Sequence, residues 1–417
     1  MILPPNPIYL DHAASTPLAP EVINSLVRHM GEFGNPSSRH RPGEEARELV
    51  ERARARVARL VNAAPEEVVF TGSGTEADNL ALQGIAFAHP DRVPAEPRGF
   101  CPLSRAAFRL WGRFSARPRA PVHIITSRIE HSAVLASCRF LDWQGHRVSY
   151  LPVDGEGRVD PDDVRRHLRP STRLISVMYA NNETGVLQPV EEIAAIARGA
   201  GIPFHTDACQ AAGKVPIDLD RLPCALVTLS AQKLYGPKGV GALIVRRGID
   251  LEPLIHGGGQ ERGLRAGTEN VLGILGFGEA CDLASGEAER DSGRLRGLRE
   301  RLADGLLALG DVRRNGGPRH LLPGTLSVSF RDIRGDALAT ALALEGVAVS
   351  TGSACHLGKQ SHVLEAMGLG PDWLRGAVRF SLGRGTTADE IDRVLATVTG
   401  AVARLRRGSP LAMAMAS

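Results

Sequence analysis

The chain's patterning predicts an α/β fold: a large domain built on a mostly parallel sheet, followed by a smaller α+β domain. Three observations carry this. Short apolar runs alternate with helix-period segments through the first two thirds of the chain. Two of those runs close on polar, chemistry-bearing residues, which a parallel sheet would bring to one common edge. After about Thr268 the texture changes to a long helical stretch followed by alternating strands and helices.

Taken in order, the strand candidates are residues 68–71, 122–126, 148–152, 174–179, 203–205, 225–229 and 241–245, with helical patterns between many of them. Residues 44–60 place Glu and Arg at three- and four-residue spacings, which predicts a solvent-facing helix without a catalytic part. The late helix runs through the 280s to about Leu309, and strand, helix, strand and helix follow near Thr325, Asp336, Val378 and Ala388. Residues 88–121, rich in Pro and Arg and holding Cys101 and Trp111, separate a helix from its next strand by more than a usual loop, so they read as an insertion. The tail from Gly408 to Ser417 lacks any period and is expected to fray. The expected division is a large domain over 18–260, carrying the insertion, and a small domain made of 1–17 and 261–417.

The 417 residues carry 50 Lys and Arg against 46 Asp and Glu. An excess of four gives no reason to expect a nucleic-acid partner. No apolar run is long enough to span a bilayer, and Met1 to Leu10 has neither the basic start nor the apolar core of a secretory signal, so the expected place is the cytoplasm. The six cysteines include no CxxC pair and no histidine at zinc-ligand spacing, so neither a disulfide framework nor a metal site is expected. Most should be buried thiols. Cys355 differs, because Ser350-Thr-Gly-Ser-Ala-Cys-His-Leu-Gly reads as an exposed or mobile loop.

The strongest chemical signal is a pair of strand ends. Pro203-Phe-His-Thr-Asp207 closes one run with an acid, and Leu226-Val-Thr-Leu-Ser230-Ala-Gln-Lys233 closes another with Ser-x-x-Lys. Pyridoxal phosphate asks for this pair: a lysine to form the Schiff base and a carboxylate to keep the pyridine nitrogen protonated. A lone lysine after a strand is ordinarily a solvated loop residue. Here a second signal joins it: Phe70-Thr-Gly-Ser-Gly-Thr-Glu76 runs from a strand into a helical pattern, offering backbone N–H groups and a positive helix end to a phosphate. The Ser230 hydroxyl could share that phosphate.

With these residues the chain resembles the cysteine desulfurases of the class V aminotransferase family, in the housekeeping and nitrogen-fixation branch, with selenocysteine lyases as relatives. The resemblance extends from Tyr9-Leu-Asp-His-Ala-Ala-Ser-Thr-Pro17 to Val378-Arg379-Phe-Ser-Leu-Gly-Arg384. Between them, in the family's order, stand Phe33-Gly-Asn-Pro-Ser-Ser38, Glu130-His131, Ala180-Asn-Asn182-Glu-Thr-Gly185, Gly257-Gly-Gly-Gln-Glu-Arg262, Arg265-Ala-Gly-Thr268-Glu-Asn and Gly352-Ser-Ala-Cys355. It implies the type I fold of pyridoxal-phosphate-dependent transferases.

The resemblance also implies roles. Lys233 matches the Schiff-base lysine, Asp207 the partner of the pyridinium nitrogen, and His131 the imidazole stacked on the cofactor ring. Gly74, Thr75 and Ser230 match phosphate contacts, and Thr268 matches one supplied by the neighbouring subunit, which implies a homodimer. Gln210 matches a residue bonding the cofactor's phenolic oxygen, while Asn182 and Arg379 match residues holding the substrate carboxylate. The implied reaction takes L-cysteine to L-alanine. Lys233 removes the α-proton, and the Cys355 thiolate attacks the substrate sulfur to form a persulfide for a sulfur-acceptor protein, an iron–sulfur scaffold or a thiolation protein.

Two positions depart from the family's pattern. Gln232 stands where this branch usually has histidine, and it cannot gain or lose a proton near neutral pH. The stretch after Cys355, His-Leu-Gly-Lys-Gln-Ser-His362, is shorter than in the housekeeping branch and lacks a proline before its serine. A selenocysteine lyase is the alternative: the 88–121 insertion and the Cys355-His356 pair favour it, and Ser132, where those lyases carry an acid, opposes it. A non-catalytic sulfur-carrier scaffold is a further alternative, opposed by the intact Lys233, Asp207 and Cys355.

Overall fold

The computed structural model of the protein describes residues 7–88, 121–351 and 360–407. The insertion is therefore described only at its two ends, and Cys101, Trp111, Cys355 and the tail from Gly408 lie outside the described residues.

The first strand, β1 (Ile8–Tyr9), stands apart from the main sheet. That sheet is made of β2 (Val68–Thr71), β3 (His123–Ser127), β4 (Arg147–Leu151), β5 (Thr172–Ser176), β6 (Phe204–Asp207), β7 (Leu226–Ser230) and β8 (Gly241–Val245), each within two or three residues of its sequence expectation. Their order is β2-β8-β7-β6-β5-β3-β4. All pairings are parallel except those of β8, which runs against both β2 and β7. The six other strands thus deliver their carboxyl ends to one edge. Gly241, at the opposite end of β8, reaches the same edge opposite Thr71 and Ser230.

Apart from the edge strand β4 and Arg173 on β5, the strands are buried on both faces, as the two-residue period of side-chain direction requires of a covered sheet. Val69, Ile124, Leu174, Leu226 and Leu243 join one apolar cluster with the helices Gly74–Phe87 and Ser132–Trp143. Phe70, Ile125, Ile175, Val227 and Ile244 join the other with the helices Arg41–Leu60 and Val190–Gly199.

Arg41–Leu60 is not wholly solvent-facing as its Glu and Arg spacing predicted. Ala46, Leu49, Val50, Ala53 and Val57 form a buried stripe at helical spacing beneath the charged face. It packs so closely on the helix Val271–Leu307 that a Cβ on Gly278 would lie 2.6 Å from the Ala53 Cα.

Val271–Leu307 has 37 residues and spans roughly 55 Å at 1.5 Å per residue. Its early residues Ile274, Phe277 and Ala280 belong to the core of the large sheet. Leu295, Leu302 and Leu306 belong to a second core. That core lies against a three-stranded sheet of β9 (Val312–Arg314), β10 (Thr325–Phe330) and β12 (Ala377–Ser381), and the helix Ala388–Arg407 packs into it. β1 pairs in parallel with β11 (Val347–Ala348), tying the start of the chain to this second body. Among the described residues no helix is long and apolar enough to cross a membrane.

Candidate active site

The strand ends meet as expected. Asp207 closes β6 and Ser230 closes the neighbouring β7, after which a single turn, Ala231–Lys233, brings the lysine over the sheet edge. Both strand-end side chains are buried, at 6% and 5% exposure. Lys233 Nζ donates to the carbonyls of Ala13 and Ala14, at 2.7 and 2.5 Å, so the segment after β1 holds the amine in place. Burial lowers the proton affinity of Lys233, and Arg379 lowers it further, against the opposing pull of the Asp207 and Asp11 carboxylates.

A cavity of about 250 Å³ opens at this edge and takes in Lys233, Asp207, His131, Gln210, Asn182 and Arg379. Gly74, Thr75, Ser230 and Gln232 line it too. Gly74 begins the helix Gly74–Phe87, whose N-cap is Ser73, with the Glu76 N–H donating to its hydroxyl at 3.1 Å. A Cβ at Gly74 would lie 2.7 Å from Cys209 Sγ, and one at Gly241 only 2.6 Å from the Ser73 carbonyl carbon. Glycine at both positions therefore lets the helix start close down on the strand edge, and its first-turn N–H groups lack intrahelical partners.

The remaining expected residues find definite places. His131 caps the helix Ser132–Trp143, its Nδ1 accepting from the Ala133 N–H at 3.2 Å. Beneath it Glu130 is fully buried, accepting from the Ser127 hydroxyl and the Met178 N–H, and burial pushes its carboxyl up to about 8. Gln210 donates to the Ala13 carbonyl at 2.9 Å. Arg379, on β12, is 2% exposed and donates to the Asn182 carbonyl at 2.6 Å and to Asp11 Oδ1 at 2.7 Å. Thr268 is exposed and is not among the residues lining this cavity.

Several site residues were not foreseen. Asp78, one turn after Gly74 on the same helix, is 1% exposed, and burial followed by the Asp207 charge pushes its carboxyl well up, favouring the neutral form. Its donor atoms lie within 4.8 Å of those of His131 and Asp207. The four-residue step from Gly74 was its only sequence signal. Cys209 also lines the cavity, and burial together with Asp207 and Asp78 raises its thiol well above the usual range, so it stays protonated and inert. His362, at the start of the short helix His362–Ala366, lines the cavity and bonds the Glu130 carbonyl at 3.0 Å. Beside it Ser361 donates to buried Glu183.

The donor set suits an anionic, ring-bearing cofactor. A helix start that can take a phosphate, a carboxylate that can pair with a ring nitrogen and an amine with lowered proton affinity all line the one cavity.

Comparison with known proteins bears on this arrangement. The model of the Aminotransferase class-V family matches residues 8–93 and 111–394. A curated relative, cysteine desulfurase IscS of Methanosarcina thermophila, is 44% identical over 407 residues, covering 97% of this chain and 94% of its own. A solved NifS-like protein superposes with a TM-score of 0.83 at 35% identity, covering 95% of this chain and all of its own. The structure of SspA in complex with cysteine superposes with a TM-score of 0.73 at 35% identity, covering 90% and 98% of the two chains.

Proposed function

Because the chain belongs to the class-V aminotransferase family and is a cysteine desulfurase, we propose that this cavity holds pyridoxal 5′-phosphate and L-cysteine, with sulfur leaving on Cys355. One observation carries the assignment. The Lys233 amine, the Asp207 carboxylate and the helix start at Gly74 converge on one cavity from three strands of one sheet.

When bound, the cofactor supplies a carbonyl for covalent attachment to an amine and a protonated ring that withdraws electrons from the substrate's α-carbon. Gly74, Thr75 and Ser230 would hold its phosphate, with Thr268 of the partner subunit completing the set in a homodimer. Thr268 is exposed and outside its own chain's cavity, as such a role requires. Asp207 would pair with the ring nitrogen, His131 lie on the ring face, and Gln210 donate to the phenolic oxygen. Gln232 lines the same wall and offers hydrogen bonds without proton transfer.

Arg379 and Asn182 would grip the cysteine carboxylate; the guanidinium is already aimed by Asp11 and the Asn182 carbonyl. Lys233, with its proton affinity lowered, takes the α-proton and later returns a proton to carbon. The Cys355 thiolate attacks the substrate sulfur: a sulfur–sulfur bond forms, the carbon–sulfur bond breaks, and alanine leaves once carbon is protonated. The persulfide then passes to an acceptor protein, an iron–sulfur scaffold or a thiolation protein. The proposed bodies are residues 18–260 and the pair 1–17 with 261–417, the helix Val271–Leu307 running between their cores.

The test is alanine release from L-cysteine and L-selenocysteine by protein loaded with pyridoxal phosphate, wild type beside Cys355→Ser. Cysteine turnover that the variant loses supports the proposal. Consumption of selenocysteine alone, by both proteins, replaces it with a lyase.

A further inference from the structure

Lys214 follows Gln210 by one turn and has no role in the assignments above. Its Nζ donates to Gln210 Oε1 at 3.2 Å, while Gln210 Nε2 donates to the Ala13 carbonyl at 2.9 Å. A carbonyl can only accept, so Ala13 fixes the nitrogen end of the amide, and Lys214 Nζ, which carries hydrogens to donate whether charged or neutral, matches the oxygen end. Flipped over, the amide would put oxygen against the Ala13 carbonyl and its N–H groups against the ammonium. In the observed orientation one N–H of Nε2 is spent on Ala13 and the second remains for the cavity that Gln210 lines.

The Ala13 carbonyl is shared, because Lys233 Nζ also donates to it at 2.7 Å. Lys233 moves during the reaction proposed above, so that anchor is perturbed in each cycle. The Lys214 contact does not depend on Lys233. Lys214 does not line the main cavity but joins Lys233 in lining a small neighbouring one, with His12, Tyr235, Asp291 and Arg384. Burial, followed by the Lys233 charge, brings its proton affinity down to about 7, and the Arg379 charge acts in the same direction. The desolvated ammonium thus gains from holding the Gln210 oxygen.

We propose that Lys214 is a positioning residue: it fixes the Gln210 amide so that a nitrogen-bound hydrogen, and not the oxygen, faces the phenolic oxygen of the cofactor. This rests on the reading that Gln210 bonds that oxygen. A donor there makes the phenolic oxygen less basic and so weakens its hold on the neighbouring nitrogen-bound proton at the Lys233 attachment.

The experiment is a pH titration of the bound cofactor's visible absorbance in wild type, Gln210→Ala, Lys214→Met and the double variant, with cofactor content measured in each. Methionine nearly matches lysine in volume and removes a buried charge, so the fold should persist. Gln210→Ala should raise the absorbance midpoint by about one pH unit, the scale expected for losing a hydrogen bond to a charged oxygen. Lys214→Met should raise it in the same direction, and should add nothing in the Gln210→Ala background. An unchanged midpoint in Lys214→Met overturns the proposal while leaving Gln210 in its role. So does a shift that persists undiminished in the double variant, because Lys214 would then act by charge alone. An unchanged midpoint in Gln210→Ala instead removes the reading on which the proposal rests.

Discussion

Ser350 and Arg379 exchange two backbone hydrogen bonds, Ser350 N to Arg379 O at 3.2 Å and Arg379 N to Ser350 O at 2.6 Å. The chain thus departs toward residue 355 from the same strand that aims the guanidinium into the cavity. It is pinned again by Ser361 and His362. Cys355 lies outside the described residues, but it is four residues from Thr351, a reach of at most about 14 Å for extended chain.

Cys355→Ser should therefore keep the cofactor's visible absorbance and lose alanine production from L-cysteine, by at least about a hundredfold. Alanine release and absorbance on the same sample check this, and normal turnover would remove the persulfide step.

For Lys233→Ala we expect loss of both the absorbance of the attached cofactor and all turnover, because no other described lysine lines the main cavity. Denatured protein should release free cofactor if any is held noncovalently. Wild-type absorbance in this variant would take Lys233 out of its role.

Arg379→Lys keeps the charge but loses the planar fork that now engages Asp11 and the Asn182 carbonyl. The fall in kcat/KM should be about a hundredfold, carried mainly by KM, as for a lost carboxylate grip. Steady-state kinetics with L-cysteine decide it; a fall confined to kcat would contradict a substrate-binding role.

Glu261 accepts from Arg54 through two nitrogens, at 2.9 and 2.7 Å, and from the Phe70 N–H at 2.8 Å, although it and Arg262 have φ of 45° and 58°. That left-handed backbone is costly for residues with side chains, so the buried pair holds the segment leading to Thr268 in a conformation it would otherwise leave. Glu261→Gln should cost about 2 kcal/mol by leaving the buried Arg54 guanidinium only the more exposed Glu51 carboxylate as an ionic partner, read as a lowered unfolding midpoint in urea.

The buried Glu130 carboxyl is pushed up to about 8 from 4.5. A raised folded value means that the folded state binds the proton more tightly. The stability it contributes is complete below pH 4.5 and disappears as pH rises through about 8. Thermal midpoints of the wild type should fall across that window, at no more than about 1.4 kcal/mol per pH unit. Glu130→Gln, always neutral, should flatten the decline; an identical slope in both proteins would show that Glu130 does not titrate there.

Much of the site was legible along the chain. The seven strands, the acid and lysine at two of their ends and the glycine turn into a helix are local patterns, set by short apolar runs, by the residues that close a strand and by backbone that only glycine allows. Those determined the α/β class and pointed to Asp207, Lys233 and Gly74. The tertiary structure alone decided that β8 runs backward, so that Gly241 closes against the helix start, and that Ala13 and Ala14 hold the reactive amine. It likewise joined Arg379 to Asp11 and Arg54 to Glu261, partners 368 and 207 residues apart. No local pattern can announce such pairs, because a buried charge chooses its partner by where the folded backbone brings one and not by its neighbours in sequence.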